Sequence, residues 1–183
     1  MDKTRHIYVD YSNLKHEGKH LAGQRVGKTQ APWHCNFEAL MGVLQGTANL
    51  GRTLLVTSDP FAAGAHALEA GFEVVTYPRS FHKKEKCVDT RIAVEAVRDA
   101  MRPGRSPEHD IFVFVSGDLD QQPAVQLLRE EGFTVYNLFW QHSSKGLQDS
   151  CDAFEALDPH WDRITWCPTK KDGTWNSANA SSG

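Results

Sequence analysis

Four aspartates stand where carboxylates could act together. Asp10 ends the apolar run HIYVD, Asp118 and Asp120 follow directly on IFVFVSG, and Asp89 opens a helical pattern after the charged stretch HKKEKCV. Two carboxylates about 4 Å apart repel by roughly 4 kcal/mol at an effective dielectric of about 20, so such a cluster needs a cation or a raised pKa. A ligand set made only of oxygens favours Mg²⁺ or Mn²⁺ over zinc. An ion so held polarises phosphoryl oxygens and acidifies water, which is what phosphodiester hydrolysis requires. Asn13, just beyond the first strand, can orient a water or a phosphate oxygen through its amide. Ser116 and Thr90 are placed to support the acids from behind.

The elements that must position these residues alternate. HIYVD, RTLLVTS, FEVVTY, IFVFVS and FTVYNLF read as strands. Helical periodicity lies near Cys35 to Leu50, Phe61 to Ala70, Thr90 to Met101 and Gln121 to Glu131, with a last helical segment ending near Leu157. Such alternation marks βαβ units around a parallel sheet. IFVFV and TLLV are apolar at consecutive positions, as strands covered on both faces are. LEAGFEVVTY and LREEGFTVYNL echo one another as helix end, glycine stop and strand, which puts Gly71 and Gly132 at left-handed helix ends. In an open parallel sheet chemistry collects at the carboxyl ends of strands where strand order reverses. Adjacency of the first and fourth strands would bring Asp10, Asp118 and Asp120 to one edge, with Asp89 leaning in from the helix after the third.

Each aspartate taken singly has a plainer reading, because an aspartate before a helix is ordinarily an N-cap. Asp59, followed by Pro60, reads as a cap, and Asp89 and Asp120 can be read likewise. Asp10 and Asp118, at the ends of apolar strands, show no evident capping role, and that joint placement favours an acidic site.

The chain has 183 residues, 40% of them hydrophobic, enough for one sizeable core and short for two. Residues 1–168 are expected to form a single domain, and the polar, Gly/Ser/Asn-rich stretch 169–183 a disordered tail. Lys15 to Pro32 reads as a long polar loop between the first strand and the first helix, and RITWCP (Arg163 to Pro168) as a possible edge strand. A net charge of −3 excludes a globally basic nucleic-acid binder while allowing a local positive groove. Four cysteines without a C-x-x-C pair suit reduced thiols in a cytosol. The absence of an apolar signal or a membrane-length run leads to the expectation of a cytoplasmic protein with no membrane partner.

Three blocks in order, IYVDYSNL (Ile7 to Leu14), KKEKCVDTRIAVEAV (Lys83 to Val97) and VFVSGDLDQQPAVQLLREEGFTVYNLF (Val113 to Phe139), together resemble the NYN domain, particularly its LabA-like branch. A fourth, SKGLQDSCDAFEAL (Ser144 to Leu157), resembles the helix that ends many such domains. The resemblance implies a PIN-like α/β/α sandwich and metal-dependent cleavage of RNA. It also implies that Asp10, Asn13, Asp89, Asp118 and Asp120 map onto a catalytic pattern, the four aspartates as ligands. Gln121 stands where many relatives carry an aromatic, which bears on how a nucleotide packs, and Cys87 where many carry glycine. Asp152 reads as a solvated helix position outside the site.

Arg79, His82, Lys83, Lys84 and Lys86 crowd the loop before Asp89, suiting a polyanionic backbone, with Lys86 nearest the acids. Ser116 is a further substrate-side candidate, and Phe81 or Tyr11 could stack on a base. The acids do not read a sugar, so DNA remains an alternative substrate. A homo-oligomer or a protein partner is compatible with the size of the domain. Fold does not imply activity, so a binding module without turnover is the main rival. His16-Glu17-Gly18-Lys19-His20 matches H-E-x-x-H, a zinc-protease motif, but its closeness to the first strand, Gly18 and its polar surroundings argue for a loop of surface histidines.

Overall fold

The computed structural model describes residues 3–58, 60–77, 87–166, 170–171 and 174–175. Its elements run β1 (Thr4–Asp10), α1 (Tyr11–Arg25), β2 (His34–Cys35), α2 (Phe37–Gln45), β3 (Asn49–Thr57), α3 (Pro60–Glu69) and β4 (Glu73–Thr76). They continue α4 (Val88–Ala100), β5 (Asp110–Val115), a 3₁₀ turn (Leu119–Gln121), α5 (Gln122–Glu130), β6 (Thr134–Phe139), α6 (Lys145–Ser150) and β7 (Ala153–Ala156). A second 3₁₀ turn (Asp158–His160) leads to α7 (Trp161–Ile164), β8 (Thr165–Trp166), β9 (Lys170–Lys171) and β10 (Thr174–Trp175).

Six strands form one sheet in the order β4-β3-β1-β5-β6-β7, every neighbouring pair parallel. The chain builds outward from β1 through β3 to β4, then crosses back to β5 and builds outward through β6 to β7. Strand order therefore reverses between β1 and β5, and the crevice at their carboxyl ends is the place where ligands settle in open α/β sheets.

Both faces of the sheet are covered, as the unbroken apolar runs require. Ile7, Val9, Val113 and Val115 pack with Leu40, Leu44 and Trp161 on the side of α1, α2 and α7. Tyr8, Phe112 and Phe114 pack with Ile92, Ala96 and Val125 on the side of α4 and α5. Alternate residues of each strand thus enter opposite layers, giving the expected three-layer α/β/α sandwich. Helix α2 buries Phe37, Leu40, Met41 and Leu44, an i, i+3, i+4, i+7 stripe. Asn36 caps it by accepting the Ala39 N–H at 3.0 Å, and Gly46 closes it at φ 60°. Gly71 and Gly132 have φ of 93° and 85°. In each case the next residue, Phe72 or Phe133, donates its N–H back into the helix at 3.0 Å. The echo read from the sequence is therefore a pair of left-handed helix stops.

Several expectations are corrected. The stretch after β1 is not a loop, since α1 begins at Tyr11 and continues to Arg25. After Tyr11 and Leu14 its buried residues are Gly18, Ala22 and Gly23, so the later part of the inward stripe is made of small side chains and carries little apolar periodicity. The helix expected over Cys35 to Leu50 is shorter, because Asn49 already belongs to β3. Ser144 to Leu157 is not one helix. Asp152 Oδ2 accepts the Val135 N–H at 2.8 Å, and the chain then enters β7, parallel to β6. Asp152 also receives Arg129 at 2.9 Å, so it stands between α6 and β7 and ties that link to β6 and α5 rather than sitting on a helix. The predicted edge strand near Arg163 joins no main sheet, as β8 pairs antiparallel with β2. In the C-terminal stretch β9 and β10 pair antiparallel. Asp59, Cys167 and Pro168 lie outside the described residues. No helix among the described residues is long and apolar enough to cross a membrane.

Candidate metal centre

β1 runs directly into α1, so Asp10 is at once the last residue of the strand and the N-cap of the helix. Its buried carboxylate accepts the Asn13 N–H at 2.9 Å. Asn13 reaches across the crevice, where its Oδ1 accepts the Gly117 N–H at 2.8 Å. The loop after β5 is thereby tied to the first turn of α1.

That loop is organised residue by residue. Ser116 is buried, and its hydroxyl accepts the Asp118 N–H at 3.1 Å. Asp118 accepts the Asp120 N–H at 3.0 Å and caps the 3₁₀ turn. From β6, the buried Asn137 amide donates to the carbonyls of Phe114 at 3.1 Å and Ser116 at 2.9 Å. Gly117 has no alternative, because a Cβ there would lie 2.5 Å from the Phe139 ring. Gln121 Nε2 donates to the Asp89 carbonyl at 3.3 Å, joining this loop to the start of α4.

Asp10 and Asp118 do have capping roles, contrary to the reading of the sequence. A strand that turns into a helix leaves orphan N–H groups at its carboxyl end, and an aspartate there satisfies one. Capping and clustering coexist in this site.

One carboxylate oxygen from each of Asp89, Asp118 and Asp120 lies within 4.8 Å of the other two, and among the described residues this is the one such group of His, Cys, Asp or Glu. Asp10 joins it through a hydrogen bond with the Asp89 carboxyl. Burial raises the Asp89 pKa, and the charges of Asp118 and Asp120 raise it further against the Asp10 bond. The donor set fits a hard divalent ion. Mg²⁺ takes oxygens at about 2.0–2.1 Å, so ligands across it stand roughly 4 Å apart, inside the 4.8 Å that bounds these three oxygens.

A family model described as NYN domain matches residues 6–158. The chain belongs to the NYN domain family. No individual curated protein matched it. The NYN match takes in all four aspartates, Asn13 and the six main-sheet strands from β1 to β7 except the first residues of β1.

Other singled-out residues of this NYN chain fall differently. Arg79, Phe81, His82, Lys83, Lys84 and Lys86 lie outside the described residues. Thr90 is exposed, and Tyr11 is buried against Phe37, which occupies its ring. Gln121 is fully buried, so it acts on the site through Asp89 rather than beside a nucleotide. Cys87 takes φ 76°, a left-handed conformation that explains a preference for glycine there. His16 and His20 are one turn apart on α1, so the objection that their motif lies in a loop fails. Even so, Glu17 pairs with His142 at 2.7 Å and His20 Nε2 lies 2.9 Å from Gln24 Nε2, and these histidines form no group like that of the aspartates. Reading the sequence for acids missed Gly117 and Asn137. The signal for Asn137 was a lone amide inside the apolar strand TVYNLF.

Proposed function

We propose that this NYN domain is a metal-dependent ribonuclease of the PIN-like, LabA-like kind, with residues 1–168 as the catalytic unit. The observation that carries the reading is the convergence of Asp89, Asp118 and Asp120, with Asp10 bonded to Asp89, at the point where strand order reverses. A Mg²⁺ or Mn²⁺ ion held by these four residues would supply Lewis acidity toward a phosphoryl oxygen and a water of lowered pKa. The chain itself supplies the positioning. Asn13 and Ser116 fix the loop bearing Asp118, and Asn13, its carbonyl held by Gly117, has an amide N–H₂ to orient a phosphate oxygen. Burial and the charges of Asp118 and Asp120 raise the Asp89 pKa, a repulsion that a bound cation would relieve. Arg79, Lys83, Lys84 and Lys86 would hold the flanking backbone.

A specific observation favours a second reading. Because Asp10 and Asp118 each cap a backbone N–H, both would be retained in an RNA-binding module without turnover. The deciding experiment incubates the protein with labelled single-stranded RNA, structured RNA and matched DNA in Mn²⁺, Mg²⁺ or EDTA. Asp10→Asn and Asp118→Asn variants run alongside. Metal-dependent RNA cleavage, lost in both variants, is expected. Binding without cleavage in any metal would favour the second reading, and equal cleavage by the variants would remove the proposed site.

A further inference from the structure

Gln121 touches the main chain of all three clustered aspartates. Its N–H donates to the Asp118 carbonyl at 3.3 Å, its own peptide bond joins it to Asp120, and its side-chain Nε2 donates to the Asp89 carbonyl at 3.3 Å. Asp118 and Asp120 come from the turn after β5 and Asp89 from α4. The side-chain bond therefore spans the two elements whose approach makes the cluster.

The other ties on α4 do not set that approach. Cys87, the N-cap, offers no side-chain cap. Val88 is buried, but apolar packing is non-directional. The ionic anchors lie further along the helix, where Arg52 holds Glu95 at 2.5 Å and Asp99 at 2.9 Å. In the first turn Arg91 pairs with Glu95 at 2.8 Å and donates to Tyr77 Oη at 3.3 Å, which ties the helix to the end of β4 rather than to the acid turn. The hydrogen bond with Asp10 acts on the Asp89 side chain, not on its main chain. Against all of these stands the repulsion among three carboxylates whose oxygens lie within 4.8 Å of one another.

The surroundings of the amide argue against a role in stability. Gln121 is fully buried, and its Oε1 has no hydrogen-bond partner among the described residues. A buried amide left half satisfied costs stability, and an apolar side chain of the same length would not. Full burial also keeps Gln121 from touching a substrate. We infer that Gln121 is a positioning residue, which fixes Asp89 relative to Asp118 and Asp120 at the spacing a divalent ion needs.

This role deepens the ribonuclease reading and rests on its metal centre, yet Mn²⁺ binding tests it without cleavage. Mn²⁺ affinity, from the paramagnetic resonance signal of the free ion, and Tm in EDTA are measured on full-length wild type, Gln121→Met and Gln121→Asn. Thr53→Val is the control, because the Thr53 hydroxyl donates to the Gly71 carbonyl at 2.7 Å and its loss removes a buried hydrogen bond elsewhere. Methionine matches the length of glutamine without the orphaned oxygen, so Tm is expected to rise by about 2–4 °C. Asparagine leaves a gap, so Tm is expected to fall. Both withdraw the donor from Asp89, and both are expected to weaken Mn²⁺ binding roughly tenfold. Opposite shifts in Tm with the same loss of affinity form a pattern that a purely structural role does not give. Unchanged Mn²⁺ affinity in both variants overturns the inference, and RNA cleavage by the wild type would leave the ribonuclease reading standing. Weakened affinity in both, with no cleavage by the wild type, supports the role of Gln121 and overturns the ribonuclease reading. An equal loss of affinity in Thr53→Val, or a lowered Tm in Gln121→Met, also overturns the inference, since general loosening of the fold would then explain the effect.

Discussion

Asp118 serves two masters, a backbone N–H that wants an acceptor and a cluster that already holds too much negative charge. Asparagine caps a helix about as well as aspartate, so Asp118→Asn keeps the loop and removes one repelling charge. Without metal that variant should unfold at a higher temperature, by a free energy on the order of 1 kcal/mol after solvent screening. Mn²⁺ should raise the Tm of the wild type, and in the variant that rise should vanish. Thermal melts in EDTA and in Mn²⁺ check both, and a drop in the metal-free Tm would show that capping outweighs repulsion. Cys87 is a simpler case, an L-residue held at φ 76°. Alanine keeps that strain while glycine releases it, so Cys87→Gly should be more stable than Cys87→Ala by about 1 kcal/mol in urea titrations. Equal stabilities would mean that the backbone there carries no cost.

Helix α1 shows where the sequence was legible and where it was not. The parallel strands could be read because burial on both faces leaves consecutive apolar residues, and the helix stops because only glycine sits comfortably at the positive φ they need. The acids could be read because they follow those strands. α1 escaped because Gly18 and Ala22 fill positions where a helical stripe would normally show leucine. A Cβ on Gly18 would lie 2.5 Å from Trp33 Cε2, so the indole, itself buried, lies directly on the helix backbone. Helix propensity alone says that Gly18→Ala should stabilise by about 1 kcal/mol. The packing says the reverse, a net loss of about 1–3 kcal/mol as Trp33 is displaced. Chemical denaturation decides between them, with Trp33 fluorescence reporting the displacement. For α6 and β7 the difficulty was length, because a four-residue run such as AFEA carries no period long enough to choose between helix and strand.

Across the whole molecule the two ends of the sheet respond to protons in opposite senses. At the end away from the acid cluster, buried His6 accepts the Arg52 N–H on Nδ1 at 3.1 Å, so its Nε2 carries the proton and donates to Asp110 at 2.7 Å. Burial lowers the His6 pKa below 6.5 against the pull of that bond. Just below pH 6.5 the unfolded chain therefore binds more protons at this residue than the folded one, and stability falls as pH falls through that window. Asp110 differs: burial pushes its carboxyl up, but the Ser106 N–H and His6 bonds bring it below 3.8, so its contribution is lost only at lower pH. At the acid cluster Asp89 is raised above 3.8. There the folded chain holds the extra proton, and metal-free stability falls as pH rises through the window above 3.8. The two groups thus push stability in opposite directions, His6 in the window below 6.5 and Asp89 in the window above 3.8. Unfolding free energies from urea titrations in EDTA should therefore diverge in slope. Asp89→Asn leaves the His6 contribution, so stability should climb more steeply with pH than in the wild type, whereas His6→Gln leaves that of Asp89 and should flatten or invert the climb. Parallel profiles for the two variants would show that neither group sets the slope.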